Sequence, residues 1–245
     1  EEEVVSGVEE VCQLVNEAKA KGLHPTSPDY PNVINLSLGA PDYPADPDTP
    51  MKVAARVAIR EYGLEVVSSA GNDGPERSTI TSPASEPLVI AVGGIYSEKF
   101  ELWERSSRGP TLLGAVKPDF VCWATGIVGA GAGADDAYQA GTGTSFAAPI
   151  LSGARGLLDE AARRGYGPDY ILPWSAVESF ATTVCAKVEG APPGKDNDWG
   201  YGFPMFAAIV GRAKLIVDIS PLLALPVLGL VGMMLTTTAR EVVRR

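Results

Sequence analysis

Helical and strand-like patterns of apolar residues alternate along the chain. Between residues 4 and 20, Val4, Val8, Val11, Cys12, Val15 and Ala18 return at helical spacing with Glu and Lys between them, which predicts an amphipathic helix. Asn32 to Leu38, Leu64 to Ala70, Pro87 to Gly93 and Asp119 to Trp123 are short apolar runs, the signature of strands buried on both faces. After the first run, Thr49 followed by Pro50 predicts a helix start and Gly63 its end. Helical spacing returns at Ala147, Ile150, Leu151, Ala154, Leu157, Leu158 and Ala161, with Gly165 as the stop. A further helix is expected over residues 173–187, before a turn at Asp196-Asn-Asp-Trp-Gly-Tyr-Gly202. Strand and helix in alternation predict an α/β domain, a parallel sheet with helices on both faces.

Ligand sites in such sheets lie beyond the carboxyl ends of the strands. Gly39, Asn72 and the turn before Ser145 all fall there. The segment Gly141-Thr-Gly-Thr-Ser145-Phe-Ala-Ala-Pro149 hands a serine to the start of a helix. Its glycines allow a tight turn, and Thr144 or Ser145 is a candidate cap. Pro149 has no N–H for the carbonyl of Ser145, so the first turn is expected to be irregular at that residue. A helix start also favours negative charge, which suits a nucleophile and a nascent oxyanion. Alone, this stretch reads equally as a small-residue cap, and Ala70-Gly-Asn-Asp-Gly-Pro75 as an ordinary turn.

Together these segments resemble the subtilisin-like serine proteases (subtilases). The resemblance rests on Asn35-Leu-Ser-Leu-Gly39, Ser69-Ala-Gly-Asn72, Ser106-Ser-Arg-Gly-Pro110, Lys117-Pro-Asp119 and Gly143-Thr-Ser-Phe-Ala-Ala-Pro149, in family order over residues 30–210. It implies a subtilisin-like parallel sheet in which Ser145 is the nucleophile and the Asn72 amide stabilises the oxyanion. It also implies that Ser37, Leu38 and Gly39 border the substrate cleft, with Ser69, Ala70 and Gly71 as the other wall. One departure is Trp123-Ala-Thr-Gly126, where the family carries Ala-Pro-Gly.

The family's Asp and His segments are absent from these residues. His24, the single histidine, is followed by proline and reads as a loop residue. The missing pair is expected upstream of Glu1, and this chain alone is expected to be inactive. An α/β-hydrolase elbow would need a histidine after the serine, and none follows Ser145. The alternatives are a non-catalytic subtilase-like module that binds peptides or a partner, and a membrane-anchored assembly subunit.

Composition narrows the partners to a peptide or protein substrate. A net charge of −10 argues against nucleic acid. Three cysteines are too few for a disulfide scaffold or a zinc site. No cofactor and no metal is called for. Calcium, which many subtilases bind, would have the acidic groups at 42–48 and 196–198 as candidate ligands. Neither has EF-hand spacing, so solvated loop carboxylates are the preferred reading. Asn35-Leu-Ser37 is a glycosylation sequon in a strand expected to be buried, so modification is not expected. Gly129-Ala-Gly-Ala-Gly-Ala134 leads to no helix and reads as a surface loop, not a dinucleotide site.

The sequence therefore divides into the C-terminal portion of a catalytic domain at 1–210 and a tail at 211–245. Within the tail, residues 219–239 carry no charge and span about 31 Å as a helix, the thickness of a bilayer core. They are expected to form a C-terminal hydrophobic helix that anchors the protein, with arginines after it. The catalytic domain would then face away from the cytoplasm. The other reading is an apolar helix packed on the domain.

Overall fold

The computed structural model describes residues 1–171 and 185–205. Strands β1 (Val33–Leu36), β2 (Glu65–Ser69), β3 (Ile90–Ile95) and β4 (Phe120–Trp123) form a parallel sheet in that spatial order. The third strand starts later than the apolar run at Pro87 suggested. The N–H of Val89 bonds the carbonyl of Glu86 in a turn, and pairing begins only at Ile90.

Two helices cover one face of the sheet. Helix α1 (Glu2–Ala20) buries Val8, Cys12, Val15 and Ala18, and α2 (Pro50–Tyr62) buries Met51, Ala55 and Ala58. These pack on Ile34, Leu36, Leu64, Val66 and Val89. Each fully buried valine or leucine here contributes about 1.5–3 kcal/mol. Gly63 ends α2 in the left-handed conformation (φ 73°), as a glycine after a helix should.

The opposite face belongs to α3 (Thr144–Tyr166), where Ala147 and Ala148 meet Val67, Ile90, Val92, Phe120 and Cys122. Small residues in its first turns let the helix axis approach the sheet closely. Gly165 does not stop α3; it lies within the last turn, and the helix yields at Gly167. Neither Thr144 nor Ser145 is the cap, which is Gly143 without a side-chain bond.

Three further expectations are corrected. Of Gly129 to Ala134, expected to be a surface loop, the first two residues end strand β5 (Ile127–Ala130), which pairs with β6 (Tyr138–Gly141), and the rest lies in the loop that joins them. Cys185 and Ala186, assigned to the end of a helix, form strand β7 paired with β8 (Phe203–Pro204). Asn35 is exposed rather than buried: β1 is an edge strand among the described residues, and Asn35 meets α3 through Ser152. The rest of the 173–187 helix and the hydrophobic stretch at 219–239 lie outside the described residues. Among the described residues no helix is long and apolar enough to cross a membrane.

Candidate active site

Four segments meet at the carboxyl end of the sheet. β1 exits into Ser37-Leu38-Gly39, β2 into Ala70-Gly71-Asn72 and β4 into Ala124, while α3 starts beside them. The N–H of Gly143 donates to the carbonyl of Ala124 at 2.8 Å and ties the helix start to the exit of β4. Thr81 fills the space between the first two exits. A Cβ on Gly39 would lie 2.5 Å from Thr81 Oγ1, and one on Gly71 2.7 Å from Thr81 Cγ2. Gly71 in addition has φ of 113°, which residues with a side chain rarely adopt.

Asn72 is held by its oxygen. Oδ1 accepts from the backbone N–H of Thr144 and from the Thr144 hydroxyl, each at 2.9 Å. A backbone N–H can only donate, so the atom facing it must be the amide oxygen and the orientation of the amide is fixed. Nδ2 is the amide atom that Thr144 does not engage. A methyl placed on Gly143 would lie 3.4 Å from Asn72 Nδ2 and 3.4 Å from Ser145 Oγ. The two atoms are thus separated by no more than twice that distance and border one small space. Ser145 is the second residue of α3, so its own N–H is among those without an intrahelical acceptor.

Thr144, wholly buried, holds this geometry together. Its hydroxyl oxygen accepts from the N–H of Gly71 (3.2 Å) and faces the carbonyl of Gly71 at 3.1 Å as well as Asn72. On the other side of the turn, Ser107 Oγ accepts from the N–H of Asp73 at 3.1 Å, and the Ser107 N–H donates to the Gly71 carbonyl. The sequence marks Thr144 only as a candidate cap and Ser107 only as part of a motif, and it gives no sign of Thr81. Their work is done across the chain, and a hydroxyl beside a glycine carries no periodic signal.

The two segments expected to wall the cleft touch: Ser69 Oγ donates to the carbonyl of Leu38 at 3.2 Å. Ser37, Leu38 and Gly39 are exposed, whereas Ser69, Ala70 and Gly71 are buried behind them. The ring of Phe146 lies over Gly141, where a Cβ would come within 2.0 Å of its Cζ.

His24 is not at this site. Its Nδ1 is 3.0 Å from Thr26 Oγ1 and 3.9 Å from Asp169, a residue beyond the end of α3. The carbonyl of Thr26 accepts from Arg163 near that end. Arg163 lies about five turns from Ser145, ~27 Å along the helix axis. Burial pushes the thiols of Cys12 and Cys122 up, and that of Cys185 up to about 12, so none supplies a thiolate at neutral pH. All three cysteines are free.

Most of the acidic groups considered for calcium face protein cations, and Asp46 accepts from the Asp48 N–H. Asp42 is buried against Lys52 (2.5 Å), not solvated as expected, because Lys52 is itself turned inward to bond the carbonyl of Asp46. Asp48 pairs with Arg56, Asp196 with Lys187 and Asp198 with Arg77. Among the described residues no cluster of His, Cys, Asp and Glu could hold a metal ion.

A serine at a helix start, a carboxamide bordering the same small space and a parallel α/β sheet beneath both are the features of one protein class. The profile of the Subtilase family matches residues 4–202, and the chain belongs to that family. It is similar to the membrane-bound transcription factor site-1 protease of Mus musculus, with 38% identity over 135 residues. That match takes in 52% of this chain and 12% of the mouse protein. It is also similar to the serine protease AprX of Bacillus subtilis, at 30% identity over 177 residues, covering 64% of this chain and 38% of AprX. The fold matches that of the prenylagaramide maturation protease PagA with a TM-score of 0.61 at 22% identity, over 84% of this chain and 67% of that one. The chain thus spans only a minor part of the length of these sequence relatives.

Proposed function

We propose that this chain carries the nucleophile and oxyanion-binding half of a serine endopeptidase. The Oγ of Ser145 attacks a peptide carbonyl, forming a C–O bond as the carbonyl π electrons move to oxygen. Asn72 Nδ2 and the N–H of Ser145 then donate to that oxyanion. The observation that carries this reading is the space beside Gly143, 3.4 Å from both Asn72 Nδ2 and Ser145 Oγ. A tetrahedral adduct on Ser145 would put its oxygen within reach of the amide. The fixed orientation of that amide supports the same role.

The proton leaving Ser145 needs a base, and His24 is too far to be one. The proposal therefore takes the histidine and its orienting carboxylate from outside these residues, as the family resemblance implies. The substrate is a peptide or protein whose backbone pairs along Ser37-Leu38-Gly39, with a side chain against Ser69-Ala70-Gly71. The exposure of the first segment supports this. Residues 1–210 form part of the catalytic domain on this reading. The charge-free stretch at 219–239 anchors it in a membrane, with the domain on the non-cytoplasmic face. Alkaline extraction of membranes from cells expressing the full-length protein tests the anchor, since an integral span stays in the pellet.

The decisive experiment treats the full-length protein with a fluorophosphonate probe. Labelling at Ser145 that disappears in Ser145→Ala establishes the nucleophile. A folded protein that hydrolyses no peptide and takes no label would overturn the protease reading and leave a peptide-binding module.

A further inference from the structure

Pro149 leaves a backbone group beside the nucleophile without its helical partner. In a regular helix the N–H of residue 149 would donate to the carbonyl of Ser145, and proline has none. A polar group left unpaired destabilises its surroundings, so the destination of that carbonyl matters. The structure gives it a donor from 108 positions away in sequence: Ser37 Oγ bonds it at 2.7 Å.

The direction of the first bonds in this chain of contacts is fixed by its end. A carbonyl only accepts, so the Ser37 hydroxyl must spend its proton on Ser145. Its oxygen is then the acceptor for Asn35 Nδ2 at 2.9 Å. That sets the Asn35 amide so that its Oδ1 faces Ser152 Oγ at 3.1 Å. Ser152 stands on α3 two turns after Ser145 and also lies 3.1 Å from the Ala148 carbonyl. Two residues of β1 and its exit thus brace the first turns of α3 at two points, one of them the backbone of the nucleophile itself.

We propose that the side chain of Ser37 is a positioning residue for Ser145, supplying the hydrogen bond that Pro149 withdraws from the helix. This rests on the protease reading above and deepens it. The role belongs to the hydroxyl and is separate from the Ser37 backbone that borders the cleft. Truncating the side chain leaves peptide pairing intact while the serine loses its brace. Since small misplacements of a reacting group are costly, kcat should fall about 10–100-fold with KM nearly unchanged.

The test is a double-substitution cycle in the full-length protein, read by steady-state hydrolysis of a fluorogenic peptide and by amide hydrogen exchange at Phe146, Ala147 and Ala148. Ser37→Ala should lower kcat and speed exchange in this turn, and Ser37→Thr should restore both. Pro149→Ala returns the helical N–H, so Ser37→Ala with Pro149→Ala should recover most of the lost kcat and protection. A Ser37→Ala enzyme with unchanged kcat and exchange would overturn the proposal. So would a double variant no better than Ser37→Ala alone. If wild type shows no turnover, the protease reading is what fails, and the exchange cycle still decides whether the hydroxyl and the proline are coupled.

Discussion

At its first residue β2 sets Glu65 against Arg155, which bonds both carboxylate oxygens and also pairs with Asp159. At its exit the same strand runs into Ser69, Ala70, Gly71 and Asn72, none of them charged, and the next acid, Asp73, is exposed. Helix α3 joins the two ends in the opposite sense, with Thr144 at the neutral end and Arg155 at the ionic one. Burial pushes the Glu65 carboxyl up while Arg155 draws it down, with the net shift upward. The ionic cluster can therefore fix the register of α3 on the sheet without placing charge beside the serine. A carboxylate at the neutral end would repel a developing oxyanion, whereas dipoles already aimed at it stabilise it without rearranging. One end locks position and the other is free for chemistry.

Substitutions at the neutral end should remove activity and spare the fold. In the full-length protein, Ser145→Ala should lower kcat by about a million-fold, the size found for the nucleophile in this family, with the melting temperature unchanged. Asn72→Ala should cost about 100–1000-fold in kcat, the range established for this family's oxyanion amide, with little change in KM. A normal rate in Asn72→Ala would remove the amide from the mechanism.

The ionic end should behave in reverse. Arg155→Met leaves Glu65 buried without its main partner and should cost about 3–5 kcal/mol in chemical denaturation. Adding Glu65→Leu should return most of that, because a matched apolar pair carries no desolvation penalty. Thr144→Val belongs between the two: it keeps the shape but strips the buried Gly71 N–H of its acceptor, for a loss of about 1–3 kcal/mol.

The smallest effect concerns acid. Burial alone would raise the Asp196 carboxyl, but Lys187 and the N–H groups of Trp199 and Asp198 outweigh it and hold it below the usual range. A lowered folded value means that this carboxylate favours the folded state above the ordinary carboxylate pKa. The contribution is lost as pH falls through the folded value. Melting curves of wild type and Lys187→Met should therefore differ at neutral pH and converge in acid. A gap that widened on acidification would contradict this assignment.

The sheet and the place of the serine were legible because apolar strands ending in glycine leave a strong pattern. Ile34, Leu36, Val66 and Val67 mark strands whatever surrounds them. The β5–β6 hairpin left none, since Ile-Val-Gly-Ala and Tyr-Gln-Ala-Gly are four residues each, largely exposed, and show no apolar alternation. The exposure of Asn35 reflects the place of β1 at the edge of the sheet among the described residues, which is a property of the sheet and not of the strand. Proline at 149 did announce an irregular first turn. The residue that repairs it could not be read, because the bond from Ser37 spans 108 positions in sequence.

The packing of Thr81 against Gly39 and Gly71 sets an unequal evolutionary latitude at the two sides of the cleft. An alanine at position 39 meets Thr81 Oγ1 at 2.5 Å, which alanine at 81 would remove, leaving contacts of 3.1 Å to the Cβ at 81 and 3.2 Å to the Ser82 carbonyl for small shifts to absorb. At position 71 the same compensation leaves the positive φ untouched. Variation in cleft shape is thus open to paired substitution on the β1 side and closed on the β2 side, the side that carries the carboxamide.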